Sequence, residues 1–175
     1  AVTLKEGRVI HGSHLLVATG RRVALERLDL AAAGVEATPR GVTVGADLRS
    51  VSNRRVYAIG DAAGGAQFTH LAGYHAGVVI RSILLGLPAK AATHHIPRVT
   101  YTDPELAQVG LTEAEARAAH GGALQVLRAE FTHNDRALAE GRAEGLIKLM
   151  VVKGRPVGVS ICGPQAGELI GVWAL

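Results

Sequence analysis

Short apolar runs separated by glycines, together with a few stretches of helical period, lay out this 175-residue chain. Val2-Thr3-Leu4 and Val9-Ile10 flank Lys5-Glu6-Gly7-Arg8 and predict a β-hairpin with glycine in its turn. Leu15-Leu16-Val17-Ala18 predicts a further strand that stops at Thr19-Gly20. Residues 28–34 read as a short helix or turn and Thr38-Pro39-Arg40-Gly41 as a loop, whereas residues 42–44 and 48–51 read as short strands. Four apolar residues, Val56-Tyr57-Ala58-Ile59, follow Arg54-Arg55 and predict a short strand buried on both faces, as a parallel strand under helices would be. A helix is predicted from Thr69 to about residue 85, with Thr69 as its N-cap. Leu71, Gly73 or Tyr74, Val78 and Ile83 lie at helical spacings, and the helix stops near Gly86, before Pro88.

The second half has a different rhythm. Residues 87–95 read as a loop, and residues 98–101 and 108–111 as strands on either side of a turn at Thr102-Asp103-Pro104-Glu105. Thr112-Glu113-Ala114-Glu115 has the form of a capping box, with Thr112 as N-cap and Glu115 at N3. Its helix carries acids early and Arg117 and His120 late, in agreement with the helix dipole, and stops at Gly121. Residues 124–131, 145–152 and 157–161 read as strands, the last two joined by a hairpin at Lys153-Gly154-Arg155. An amphipathic helix is expected from Gln165 to Leu175. Strands gathered on one side with helices against them predict an α+β module.

The candidate chemistry gathers at Gly60-Asp61. Glycine admits a close approach by a ligand, and the carboxylate stands where a strand ends, the place where open α/β sheets bind cofactors. Burying that carboxylate unpaired would cost on the order of several kcal/mol. Two sugar-like hydroxyls could each give it a charge-assisted hydrogen bond. The positive end of the helix that follows would stabilise a ring that gains negative charge on reduction.

The residues 55–65, Arg-Val-Tyr-Ala-Ile-Gly-Asp-Ala-Ala-Gly-Gly, resemble the second flavin-binding motif of the FAD-dependent pyridine nucleotide-disulfide oxidoreductases. That family includes dihydrolipoamide dehydrogenase, glutathione reductase and mercuric reductase. The resemblance continues in His14-Leu15-Leu16-Val17-Ala18-Thr19-Gly20-Arg21 upstream, and in Tyr101-Thr102-Asp103-Pro104-Glu105 with Val109-Gly110-Leu111-Thr112-Glu113 downstream. It implies an α/β flavin- and nucleotide-binding segment followed by an incomplete α+β interface (dimerisation) domain. Residues 1–40 would end an NAD(P)-binding domain, 41–95 would be the C-terminal segment of an FAD-binding domain, and 96–175 a truncated dimerisation domain. It implies FAD and NAD(P)H as cofactors, with Gly60, Asp61, Gln67, Phe68 and Thr69 beside the flavin and the Gly20 backbone near the nicotinamide. A homodimer through residues 96–175 is expected. The implied activity is hydride transfer from NAD(P)H through flavin to a disulfide or metal-ion acceptor. The family's redox cysteine pair and its His-Glu acid/base pair have no counterpart here, so no catalytic residue is assigned and truncation at both ends is expected. The rival reading is a non-catalytic dimerisation and partial cofactor-binding fragment. A flavoprotein relative without the cysteine pair is disfavoured by the Tyr101-Thr102-Asp103-Pro104-Glu105 segment.

Composition narrows the remainder. A net charge of +4 would suit nucleic acid, but the basic residues are scattered and aromatics are only 3%. Nucleic acid is therefore not expected as a partner, and neither is a membrane, since no run of 18 apolar residues occurs. One cysteine, Cys162, precludes an internal disulfide and favours a reducing, cytoplasmic setting; with no basic neighbour in sequence, it is read as a small hydrophobe. Eight histidines lack ligand spacing, His70 and His75 being five apart and His94-His95 adjacent, so no metal site is expected. Asp103 and Glu105 read as turn residues, Asn134-Asp135-Arg136 as a loop held by local hydrogen bonds, and Glu140 with Glu144 as a solvated pair.

Overall fold

A computed structural model describes residues 1–88 and 90–174. The chain divides into two compact units, Ala1–Ala89 and Lys90–Leu175. The expected helix end at Leu175 and one residue of the expected 87–95 loop, Ala89, lie outside the described residues.

In the first unit, β1 (Val2–Thr3) and β2 (Val9–Ile10) form the expected hairpin. A second tight hairpin joins β3 (Ala37–Thr38) to β4 (Gly41–Val42). Residues 30–34 are turns, as the sequence allowed. The strands expected at 42–44 and 48–51 shrink to β4 and the isolated bridges Val44 to Ser50 and Arg49 to Tyr57. Two other expectations fail for one physical reason. Residues 15–18 form no strand, and Leu16 is 87% exposed; residues 56–59 form no buried strand, with Ile59 38% exposed and only Tyr57 bridged. An extended segment becomes a strand only when a neighbouring strand takes up its N–H and C=O groups. A small core of Val35, Val42 and Ala58, lined by Leu25, Leu30, Val44, Val56, Ala62 and Ala63, holds the unit.

The helix α1 (Thr69–Leu85) has the expected span and stops at Gly86 in the left-handed conformation. Its N-cap is Phe68 and no side chain caps it, so Thr69 is the first helical residue and not the cap. Leu71, His75 and Val78 form its buried face.

The second unit follows its sequence closely. Five antiparallel strands, β5 (Arg98–Thr100), β6 (Glu105–Gly110), β7 (Leu124–Glu130), β8 (Leu146–Val152) and β9 (Arg155–Gly163), lie in the order β5-β6-β9-β8-β7. Glu105 opens β6, so the expected turn ends one residue earlier than the motif. The β8–β9 hairpin turns through Lys153 (φ 50°) and Gly154 (φ 75°), with Val152 facing Arg155. Two consecutive positive φ values give the turn twist that matches right-handed strands. Ala107 and Val109 on β6 alternate with exposed or half-buried neighbours, and on β9 the buried Val159 and Ile161 alternate with half-buried Ser160 and Cys162. With Ala166 and Ile170 they form the core.

Three helices complete the unit. α2 (Glu113–His120) has the full capping box: the Thr112 hydroxyl accepts from the Glu115 N–H, and the Glu115 carboxylate accepts from the Thr112 N–H at 2.8 Å. Asn134, expected in a loop, caps the short α3 (Asp135–Ala139) by accepting from the Ala137 N–H at 3.0 Å. Glu140 and Glu144 are both exposed, as expected of a solvated pair, and Glu140 also pairs with Arg136 at 2.5 Å. The helix expected from Gln165 is only α4 (Ala166–Leu169) followed by a 3₁₀ turn, Ile170–Trp173. Gln165 is left-handed (φ 57°), and the Glu105 carboxylate accepts from the Gly167 N–H at 2.8 Å.

Candidate functional site

The site is built in the first unit, where the extended segment through Ala58 turns into the first residues of α1. A 3₁₀ turn, Gly60–Ala63, follows Ile59 and closes at left-handed Gly64, whose N–H donates to the Asp61 carbonyl. Gly60 is buried with φ 55°, and a Cβ there would lie 2.7 Å from the Ala72 Cβ on α1. Only glycine fits this left-handed turn against the helix. The β3–β4 turn packs on the other side: a Cβ on Gly41 would lie 2.4 Å from the Gly64 nitrogen.

Asp61 projects from this turn with a half-exposed side chain. Arg21 lies beside it, with Nη1 3.7 Å from the Asp61 carboxylate and donating to the Gln67 carbonyl at 3.2 Å. One guanidinium therefore joins the carboxylate to the residue that leads into α1. Phe68 and Thr69 follow at the helix start, and the Phe68 ring stacks on His70 with centroids 5.2 Å apart. The structure thus brings Gly60, Asp61, Gln67, Phe68 and Thr69 into one neighbourhood. Gly20 stands on an exposed extended stretch, and what ties it to the group is its neighbour Arg21.

Sequence reading gave no role to two residues here, Arg21 and His75. His75 is 4% exposed, and its Nδ1 accepts from the Gly60 N–H at 3.1 Å. Burial alone pushes its proton affinity below the ordinary value of 6.5, because water no longer solvates the cation. A GYHAG string gives no local sign of a backbone partner 15 residues upstream. For Arg21 the signal existed in its place just after the Thr19-Gly20 turn, but its reach to Asp61 is a tertiary fact.

The donor set suits a ligand rich in hydroxyls with an electron-accepting ring. Asp61 accepts only, and its loose 3.7 Å ion pair leaves carboxylate lone pairs available. The start of a 17-residue helix beside it presents amides without intrahelical acceptors and a positive dipole end. Among the described residues no group of three or more His, Cys, Asp or Glu is arranged to hold a metal. Cys162 is half-buried on β9. Asp103 pairs with Arg142, 39 residues away, and Glu105 with the Gly167 amide, so the two carboxylates serve separate structural contacts. No helix among the described residues is long and apolar enough to cross a membrane.

Residues 1–76 match the model of the pyridine nucleotide-disulphide oxidoreductase family, and residues 96–175 match that of the family's dimerisation domain. The chain is 39% identical over 160 residues to a dihydrolipoyl dehydrogenase of Bacillus subtilis, covering 90% of this chain and 34% of the relative. It is 43% identical over 159 residues to the dihydrolipoyl dehydrogenase of Thermus scotoductus, covering 89% of this chain and 34% of the relative. With the mercuric reductase of Bacillus cereus it shares 34% identity over 165 residues, 93% of this chain and 26% of that protein. Among solved structures, LpdA from Mycobacterium tuberculosis superposes with a TM-score of 0.88 at 24% identity, over 98% of this chain and 38% of that one. The HOCl-induced flavoprotein disulfide reductase RclA from Escherichia coli gives 0.77 at 27% identity, over 94% and 40%. The chain thus spans about a third of the length of these relatives. Two successive matches to one family, in its own order, on a fold its members share, establish that the chain belongs to the pyridine nucleotide-disulphide oxidoreductases.

Proposed function

We propose that this chain is part of an FAD-dependent oxidoreductase that moves a hydride from NAD(P)H through flavin to a disulfide or metal-ion acceptor. The observation that carries the reading is the half-exposed Asp61 carboxylate beside the start of α1, the two joined by Arg21. Bound flavin would supply the redox chemistry. The chain's own residues bind and orient it. Asp61 accepts hydrogen bonds from the hydroxyls of the ribityl chain, and Gly60 gives the turn its close approach. Gln67, Phe68 and Thr69 present main-chain atoms and the positive helix end to the pyrimidine side of the ring, where negative charge gathers on reduction. The Gly20 backbone serves the nicotinamide side. In this reading residues 1–40 close the NAD(P)-binding domain, 41–95 complete the FAD-binding domain, and 96–175 form a two-fold interface with a second copy. A lone cysteine fits a cytoplasmic protein. The relatives named dihydrolipoyl dehydrogenase and mercuric reductase support both acceptor classes.

The test is Asp61→Ala in the full-length protein. Flavin affinity is expected to fall by a factor of about ten or more, the worth of one or two charge-assisted hydrogen bonds. Absorbance near the flavin bands after gel filtration reads the loss directly. A variant that keeps wild-type flavin occupancy and affinity would refute the assignment.

A further inference from the structure

Two polar side chains, Ser50 and His75, are buried among the described residues. They serve different ends. The Ser50 hydroxyl accepts from the N–H groups of Ser52 and Asn53, two and three residues on, and so ties up its own loop. The His75 bond crosses from the second turn of α1 to the Gly60 N–H, on a different element. We propose that His75 is a positioning residue of the flavin site, its Nδ1 holding the Gly60–Asp61 backbone so that the Asp61 carboxylate is presented at a fixed place beside the start of α1. This rests on the flavin reading given above.

The geometry carries the argument. Gly60 is buried, so its N–H must have an acceptor inside the protein. His75 is the acceptor, which requires that Nδ1 carry a lone pair and Nε2 the hydrogen. The contact between Gly60 and Ala72 fixes the distance between the turn and the helix, and the hydrogen bond fixes the rotation of the Gly60 peptide. That N–H lies in the Ile59–Gly60 peptide, and the left-handed Gly60 (φ 55°) carries its orientation on to the Asp61 Cα. A leucine at position 75 would fill similar space and leave the N–H unpaired. An imidazolium would be worse still, since it would oppose one N–H donor with another. Titratable groups on the two elements joined by the bond include Tyr74, its ring 5.9 Å away on the same helix, and Asp61, the residue after Gly60 on the turn. Burial favours the neutral ring that the bond needs.

Flavin dissociation constants of the full-length protein are measured from about pH 5 to pH 8, the range over which histidine titrates, for wild type, His75→Asn, His75→Leu and Asp61→Ala. Asparagine places an accepting Oδ1 on the branch that Nδ1 occupies and does not titrate. Wild-type affinity is expected to fall toward the acid end of the range. His75→Asn is expected to bind within about threefold of wild type at pH 8 and to lose the acid fall. His75→Leu is expected to bind about tenfold or more weakly at every pH, as for one lost hydrogen bond to a buried donor. Wild-type affinity in His75→Leu, or an undiminished acid fall in His75→Asn, overturns the positioning role while leaving the flavin reading intact. Should His75→Leu fail to fold, as judged by circular dichroism, the His75→Asn profile decides. If Asp61→Ala binds flavin as wild type does, the flavin reading falls and this proposal falls with it.

Discussion

Gly60 is constrained by its left-handed φ of 55°, by the Ala72 methyl across from it, and by the His75 ring that receives its N–H. Alanine there would meet both a left-handed backbone and a 2.7 Å contact. The two effects together are expected to cost about 2–4 kcal/mol, read as a lower urea midpoint for this chain. Gly77 on α1 supplies the contrast. It is exposed, and no atom lies within 4 Å of where its Cβ would stand, so Gly77→Ala is expected to stabilise by about 0.5–1 kcal/mol. Equal effects from the two substitutions would show that the Gly60 turn is not held as described. At this scale the Gly-Asp motif was legible because its residue types serve a local need, a turn and a carboxylate. His75 was not legible as a support, since a backbone amide 15 residues away leaves no mark in the sequence around it.

Three elements whose signals are local came out as read. The capping box of α2, the span of α1 and the Lys153-Gly154 hairpin each depend on residues within a few positions of one another. The strands expected at 15–18 and 56–59 failed because a strand depends on a partner that its own sequence does not specify. The α2 helix also carries the densest ion-pair group among the described residues. Glu113 lies 2.9 Å from Lys148 on β8, 2.6 Å from Arg117 one turn on, and 3.5 Å from Arg128 on β7. Hydrogen bonds from Lys148 first, and Arg117 next, pull its carboxyl from 4.5 down to about 2. A carboxyl whose affinity for protons is lower in the folded state stabilises it fully above the unfolded value and progressively less as pH falls toward the folded one. The stability of the second unit is therefore expected to decline between about pH 4.5 and pH 2 through this group. Glu113→Gln should flatten that part of the profile, measured by chemical denaturation at each pH. An unchanged slope would show that the lysine and arginine contacts contribute nothing.

The molecule as a whole presents apolar surface on both of the segments that the family pattern places inside larger domains. Leu15, Leu16 and Val17 are exposed in the first, and Ile80, Ile83, Leu84 and Leu85 along α1 in the second. Such surface binds hydrophobic probes when nothing covers it. The purified 175-residue chain is expected to enhance the fluorescence of an anilinonaphthalene dye and to give no NADH-dependent dye reduction. Turnover by this chain alone would count against a shared, multi-domain site. By itself the sequence determined the family, the span of α1, the capping box of α2, the β8–β9 hairpin and the position of the Gly-Asp motif. Those properties rest on local propensity, capping and turn chemistry. Tertiary structure alone decided which extended runs paired, that Arg21 joins Asp61 to Gln67, and that a neutral His75 holds the Gly60 amide. Each of these is a hydrogen bond, ion pair or strand pairing between residues distant in sequence, whose partners are chosen only when the chain folds.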